Sequence, residues 1–327
     1  METKKKLMGI AFLFGFVFFL ICSPSFAQEY PIKPINLTVT HGPAGVVDTS
    51  TRILASKAEK LLGQPFVITN NANGAGTVAV GILVKEKPDG YHLASGSTSS
   101  LLWVPFFRPV TYKLQDIVPV VRYAIPPSGL LVKGDSPWKT FQEFVEYAKK
   151  NPGKVSYSIS GANTTMDFAM QLIAKKEGIK WGGAIPYPSG DPNYLLLGGH
   201  VTACSSGPSY SPYVKAGTLR LLAVYSNKRM KNFPAVPTLQ ELGYDFIDVH
   251  AYMVMAPKLM PVPIMKKLED AFRKGMEDPE FVRYTESMEL EISYLNSEDA
   301  QKYLEESYAK SEKLTKELGV TKEPAKK

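Results

Sequence analysis

The sequence predicts an α/β fold with largely parallel sheets, on two observations. Past residue 30, short apolar or β-branched runs alternate with stretches of helical periodicity, the pattern of repeated βα units. A strand, a glycine-containing loop and a helix also occur together twice. I-N-L-T-V-T (35–40) runs through H-G-P-A-G-V-V-D (41–48), and V-S-Y-S-I (155–159) runs through S-G-A-N-T-T (160–165). Two such units suit two lobes; if the lobes face one another, both helix N-termini point into one cleft.

In chain order, F-V-I-T-N (66–70), H-L-A-S (92–95), V-P-V-V-R-Y (118–123), L-L-V-K (130–133), L-R-L-L-A-V (219–224) and Y-M-V-M-A (252–256) complete the strands. The first helix places Val47, Ser50, Leu54, Ala58 and Leu61 on one face and stops at Gly63. Thr140-Phe141-Gln142-Glu143 is a capping box ahead of a face formed by Phe141, Phe144, Val145 and Ala148. Ile264, Leu268, Ala271 and Gly275 mark another helix. The last runs from an Asn296 cap through Leu304, Tyr308 and Leu318 to Gly319. The tail T-K-E-P-A-K-K reads as disordered.

The N-terminus has the three parts of an export signal. Lys4, Lys5 and Lys6 precede an apolar stretch over residues 7–22, and Ser25-Phe26-Ala27 supplies small residues for cleavage, leaving Gln28 as the mature start. A retained anchor is the competing reading, but the stretch falls short of the ~20 residues of a spanning helix. Cys22 fits lipidation poorly, with bulky Ile21 before it. Cleavage removes three lysines and one glutamate, taking the net charge from +7 to +5. Basic residues are scattered, which argues against nucleic acid as a partner. Cys204 is then the one remaining cysteine, so an internal disulfide or Cys-x-x-Cys site is excluded, and a small buried hydrophobe is expected there.

The loop 41–48 lacks the lysine of a phosphate-binding P-loop. Its helix starts at Gly45-Val46-Val47-Asp48, where unpaired N–H groups and the positive end of the dipole suit a carboxylate. Asp48 either caps the helix and holds the loop or touches the ligand directly. G-A-G-T-V-A (74–79) matches a dinucleotide fingerprint, but the N-N-A-N spacer (70–73) makes its loop too long for the tight turn. S-I-S-G-A-N-T-T (158–165) offers several hydroxyls and an amide at a helix start, more than a capped turn requires, and reads as ligand-facing. Neither G-x-S-x-G nor H-E-x-x-H occurs, and His41, His92, His200 and His250 have no metal-ligand spacing. A lone loop histidine such as His41 is more often a pocket wall or a surface residue than a catalyst.

Other stretches occur in a recognisable order. They are Y-P-I-K-P-I-N-L-T-V (30–39), G-P-A-G-V-V-D (42–48), L-G-Q-P-F-V-I-T-N-N (62–71), G-A-G-T (74–77) and K-P-D-G-Y (87–91). N-P-G-K-V-S-Y (151–157), L-L-G-G-H-V (196–201), V-K-A-G-T-L-R-L-L-A-V (214–224) and V-P-T-L-Q-E-L-G (236–243) follow. The set resembles the substrate-binding proteins of tripartite tricarboxylate transporters, the Bug family, over essentially the whole mature chain.

The resemblance implies a two-lobed periplasmic binding protein of type II, flytrap-like, with a mainly parallel sheet in each lobe. One lobe is expected from 28–127 with 250–327 and the other from 128–249, the chain crossing near 125–130 and returning near 246–252. The ligand cleft lies between them. The implied ligand is a small organic carboxylate, held mainly by backbone N–H groups and small hydroxyls, with no arginine clamp, cofactor, metal or catalytic residue. Carried over by position, one jaw is His41, Gly45, Val46, Val47 and Asp48, with Ser97 and Thr98 nearby. The other is Ser160, Gly161, Ala162, Asn163, Thr164 and Thr165. Tyr187, Ser189, Gly190 and Asp191, then Ser205 and Ser206, complete the site. Thr164, Thr165, Ser189 and Ser97 are the expected side-chain donors, and His41 and Tyr187 the walls.

The implied partners are membrane transporter subunits, served by a monomer; a ligand-presenting sensor and an exported hydrolase are the rival readings. Several positions depart from the family pattern. His41 stands where an aromatic or aliphatic residue is common, Ala44 replaces a frequent glycine, and Val47 a Thr or Ser. Thr202 stands where Asp is frequent, and Ser205-Ser206-Gly207 replaces a bulkier stretch. A less polar end at Val47 and an imidazole at His41 favour a carboxylate other than citrate, with an apolar or aromatic body.

Overall fold

The computed structural model describes residues 30–162, 164–187 and 191–319. The expected signal peptide, the tail from Thr321, and Asn163, Ser189 and Gly190 of the expected site lie outside the described residues.

The strands are β1 (Ile35–Val39), β2 (Phe66–Asn70), β3 (His92–Ser97), β4 (Ile117–Ile125), β5 (Gly129–Lys133), β6 (Ser156–Ile159), β7 (Gly183–Pro186), β8 (Ala203–Ser206), β9 (Leu219–Val224), β10 (Tyr252–Pro257) and β11 (Glu291–Leu295). They form two sheets, ordered β11-β4-β10-β3-β1-β2 and β7-β6-β8-β5-β9, one in each lobe. Both sheets are mixed rather than mainly parallel. β1 runs parallel to β2 and β3, and β6 parallel to β7 and β8. β10 is antiparallel to β3 and β4, β11 to β4, and β5 to β8 and β9. The cause is connectivity: helix-crossover units such as β1–β2 and β6–β7 must pair parallel. A chain that leaves the first sheet by β4 and re-enters by β10 runs back the opposite way.

The helices are α1 (Val46–Leu62), α2 (Thr77–Leu83), α3 (Ser99–Leu102), α4 (Phe141–Lys150), α5 (Thr165–Glu177), α6 (Asn193–Leu197), α7 (Ser211–Lys215), α8 (Val262–Gly275), α9 (Pro279–Ser287) and α10 (Ser297–Glu317). α1 buries Val47, Leu54, Ala55, Ala58 and Leu62, and ends at Gly63, whose φ of 72° glycine adopts without strain. Leu61, expected on the buried face, is 53% exposed, because the row Leu54–Ala58–Leu62 takes that face. α1 packs closely on α8 at Gly275, where a Cβ would lie 3.1 Å from Leu54 Cδ1. The α4 capping box forms: Thr140 Oγ1 accepts the Glu143 N–H at 3.2 Å while the Glu143 carboxylate accepts the Thr140 N–H. Asn296 Oδ1 caps α10 through the Asp299 N–H at 2.8 Å. Cys204 is a buried free thiol, its pKa pushed up to about 12 by burial.

Two short passages connect the sheets, one after Ile125 and one before Tyr252, and Asp248 ties them together. Its Oδ2 accepts the Ser128 hydroxyl at 2.6 Å and its N–H donates to Tyr225 O; the Tyr225 N–H donates to Ser128 O. Apolar contact also crosses between lobes. Trp103, after α3, stacks on Phe168 of α5 at 4.8 Å between ring centroids, and Phe107 meets the same ring at 5.0 Å. Among the described residues no helix is long and apolar enough to cross a membrane.

Candidate functional site

The first loop is positioned by close packing at its root. Thr40, just past β1, occupies space that only glycine leaves free: a Cβ on Gly96 would lie 1.8 Å from Thr40 Oγ1, and one on Gly76 3.0 Å from Thr40 Cβ. Gly76 also has a φ of 83°. Gly76 of G-A-G-T-V-A is therefore accounted for by its approach to Thr40, and Gly74 by its φ of 60° and the contact with Thr77, without a dinucleotide. Thr40 Oγ1 lies 3.1 Å from His41 Nδ1, which fixes the imidazole at the tip.

Asp48 holds the loop rather than standing free. Its carboxylate accepts from the Ala44 N–H at 2.9 Å, from Arg52 Nε at 2.9 and 3.1 Å, and from Asn70 Nδ2 at 2.8 Å. Asn70 Nδ2 also donates to His41 O at 2.9 Å, and its own Oδ1 accepts from Arg52 Nη2. Burial works to raise the Asp48 pKa, and the hydrogen bonds from Arg52, Asn70 and Ala44 outweigh it, leaving the carboxyl below its usual value. The local-support reading of Asp48 thus accounts for both oxygens.

With that support, α1 begins at Val46 with Gly45 as its N-cap and no side-chain cap. The second loop repeats the arrangement: α5 begins at Thr165 with Thr164 as N-cap and again no side-chain cap. Helix geometry leaves the first-turn N–H groups of both without intrahelical acceptors, a ready seat for an anion. Asp167, like Asp48 the third helical residue, is held by Tyr157 Oη at 2.9 Å and Gln171 Nε2 at 3.0 Å. Thr164 donates its hydroxyl to Gly161 O, whereas the Thr165 hydroxyl is fully buried and has no partner among the described residues. Ser160 and Ala162 are exposed and Gly161 half-buried, so the loop itself faces solvent.

The remaining expected residues divide by what already occupies them. Ser97 Oγ accepts the Ser99 N–H, and Thr98 exchanges two hydrogen bonds with Ala251, pinning the returning chain. Ser205 donates to Met166 O at 2.8 Å, supporting the start of α5 from beneath. Asp191 Oδ1 accepts from the Asn193 N–H and amide and from Ser209, and Ser206 also receives the Asn193 amide. Tyr187 N–H bonds to Ile159 O, placing Tyr187 beside the second loop's root. Two surface hollows are present, the first reaching Asn70 behind the first loop. One of about 410 Å³ runs along Asn36, Thr38, Thr69 and His92, and one of about 280 Å³ lies beside Leu219 and Arg220.

The structure adds residues that sequence reading passed over. Asn70 and Arg52 brace the first jaw; the one available signal was Asn70's place at the end of the strand paired with β1, opposite Val39. His250 is buried, with Nδ1 2.5 Å from Asp248 Oδ1 but too poorly aligned for a hydrogen bond. It also acts on His41. Burial first, and then the nearby His250, lower the His41 pKa to about 4. His41 is closely surrounded yet keeps part of its surface in solvent, as a side chain lining a cleft does. Among the described residues no cluster of three or more His, Cys, Asp or Glu is arranged to hold a metal.

Comparison with known proteins matches the fold and gives the family. A relative from Cupriavidus necator, the UPF0065 protein in the gbd 5' region, is 35% identical over 303 residues, 90% of each chain. The solved structure of the periplasmic binding protein BugD superposes with a TM-score of 0.78 at 26% identity, covering 90% of this chain and 100% of that one. That of Rpa4515 from R. palustris, solved with adipate, does so with a TM-score of 0.80 at 25% identity, again over 90% and 100%. The sequence profile of the tripartite tricarboxylate transporter family receptors matches residues 50–320, and the chain belongs to that family.

Proposed function

We propose that this protein captures a small organic carboxylate outside the cytoplasmic membrane and delivers it to a tripartite tricarboxylate-type transporter. The observation that carries the reading is the pair of matched strand–loop–helix units, each ending in an uncapped helix N-terminus. Adipate in a neighbour of the same fold supports the ligand class. The ligand is gripped by the first-turn N–H groups of α1 and α5, with His41 and Tyr187 as walls; closing both jaws on one molecule stabilises the closed state by its differential affinity. The protein acts by binding and not by turnover, as a monomer, after export and cleavage following Ala27.

Isothermal titration with adipate, malate and citrate tests the function directly. Saturable, stoichiometric binding of adipate or malate without chemical change is expected, and N-terminal sequencing of exported protein should begin at Gln28. Binding of citrate alone refutes the expected preference. A failure of all three acids, with none found by native mass spectrometry of freshly purified protein, refutes the carboxylate reading.

A further inference from the structure

Trp103 lies in the first lobe just beyond α3 and is 2% exposed. Its ring stacks on Phe168 of α5 with 29° between planes, and Phe107 meets Phe168 at 33°. The contact thus bridges the lobes. The indole N–H, which can only donate, is buried with no acceptor among the described residues. Trp181 shows the ordinary alternative, its indole N–H donating to Met170 O at 3.0 Å.

A second buried group without a partner lies on the same helix. The Thr165 hydroxyl is fully buried and unpaired, three residues before Phe168 and so on the same helix face. Thr165 is also the first residue of α5, where the backbone N–H groups are uncapped. Native proteins seldom leave a buried donor unmet, and no described residue supplies the acceptor here.

We infer that Trp103 is a specificity-determining ligand contact, donating its indole N–H to a carboxylate oxygen of the bound acid, with the Thr165 hydroxyl as a second donor. The inference rests on the carboxylate reading above and narrows it. A donor-only group accepts an ionised carboxylate and rejects an ammonium. The rings packed on the indole, Phe168 and Phe107, make its surroundings apolar, which suits an aliphatic chain better than a hydroxylated one. The favoured class is an unbranched aliphatic dicarboxylate.

Titration calorimetry with adipate and citrate tests this on the unaltered protein, Trp103→Phe, Thr165→Val and the control Trp181→Phe. Trp103→Phe keeps an aromatic ring on Phe168 and removes the N–H. It should weaken adipate binding about tenfold or more, beyond any loss of ligand-free stability, which is read separately as a melting temperature. The unaltered protein and Trp181→Phe should prefer adipate to citrate. Adipate binding to Trp103→Phe as tight as to the unaltered protein overturns the inference, even while the carboxylate reading stands. If Trp103→Phe does not fold, the ¹⁵N-labelled indole resonance of Trp103 in the unaltered protein decides. A downfield shift on adding adipate supports the contact, and a stationary resonance overturns it. Absence of adipate binding to the unaltered protein, with binding of malate or citrate, removes the proposed class and leaves the carboxylate reading intact. Absence of binding by all three acids removes both.

Discussion

Asp48 and Asp167 occupy the same place, the third residue of α1 and of α5, and each is held from one turn on, by Arg52 and by Gln171. The two jaws differ in charge. Asp48 faces a guanidinium, while Asp167 accepts from the neutral Tyr157 and Gln171. Asp48→Asn is expected to cost about 2 kcal/mol, because one amide oxygen cannot serve Ala44 N–H, Arg52 and Asn70 together. Asp167→Asn keeps an acceptor for Tyr157 and should cost about 1 kcal/mol or less. Urea unfolding of both variants checks this, and equal losses would contradict the assigned support.

His41 gives the fold a pH dependence of known sign. Burial and then His250 depress its pKa to about 4 in the folded protein, against about 6.5 unfolded. Between these values the unfolded chain holds more protons, so this stability is complete above about pH 6.5 and is lost as pH falls toward 4. The full linkage is about 3 kcal/mol. Groups around it are His250 and Asp248 on the returning segment, and the mutually paired Asp48 and Arg52 on α1. His41→Gln should flatten the stability profile between pH 6.5 and 4.5, measured by urea unfolding. An unchanged slope would assign it elsewhere.

Glu289 joins the lobes under strain. Its φ is 55°, and its side chain, 6% exposed, accepts from Asn232 Nδ2 at 2.9 and 2.7 Å and from Lys215 Nζ at 2.5 Å, both across from the first sheet. Lys228 meets Glu291 beside it at 3.0 Å. Glu289→Ala should lower stability by about 1–3 kcal/mol and enlarge the radius of gyration in small-angle scattering of the ligand-free protein. Glu289→Gly, which loses the same contacts but relaxes the backbone, should recover about 1 kcal/mol relative to Glu289→Ala. If the two variants match, the strain is not stored there.

The parts of this fold legible in the sequence are those whose signal is local. Gly63 ends α1, Thr140 and Glu143 start α4, and Asn296 starts α10, each through chemistry within four residues. β8 escaped because Ala203-Cys204-Ser205-Ser206 is buried without apolar alternation, and β7 because Ala184, Ile185 and Pro186 are exposed. The two loops before α1 and α5 were visible in the sequence, whereas their bracing was not. Asn70 reaches His41 and Asp48 only through strand pairing, and the unmet Trp103 N–H arises from packing against the other lobe. Such contacts join residues far apart in sequence and leave no periodicity to read.

Ala44 carries a departure that the backbone makes costly. It stands at a φ of 61° in the first loop, where its Cβ is strained and glycine is not. Ala44→Gly should therefore leave folding intact and raise stability by up to about 1 kcal/mol, after the larger chain entropy of glycine in the unfolded state is deducted. Differential scanning calorimetry reads this as a rise in melting temperature of a few degrees at most. A fall would mean that the Asp48 hydrogen bond to this N–H depends on alanine's restricted backbone.

Gly45 and Gly161 give the cleanest test of the paired jaws, because both have room for a side chain in the ligand-free protein. A Cβ at Gly45 would meet Gly42 O at 3.6 Å and one at Gly161 would meet Thr164 Cγ2 at 3.5 Å, ordinary contacts, and neither backbone is left-handed. Proline at Gly45 is a poorer probe, since the residue before proline is confined to extended conformations and Ala44 is left-handed. Gly45→Leu and Gly161→Leu should each melt within a few degrees of the unaltered protein, since surface substitutions without strain stay within about 0.5 kcal/mol. Each should also lose the thermal stabilisation that adipate confers, because the side chain stands over an uncapped helix N-terminus. The double variant should be no worse than either single one, as a ligand that needs both jaws is lost when one is blocked. Retained stabilisation in both single variants would place the ligand elsewhere, and retention in one alone would show that a single helix terminus suffices.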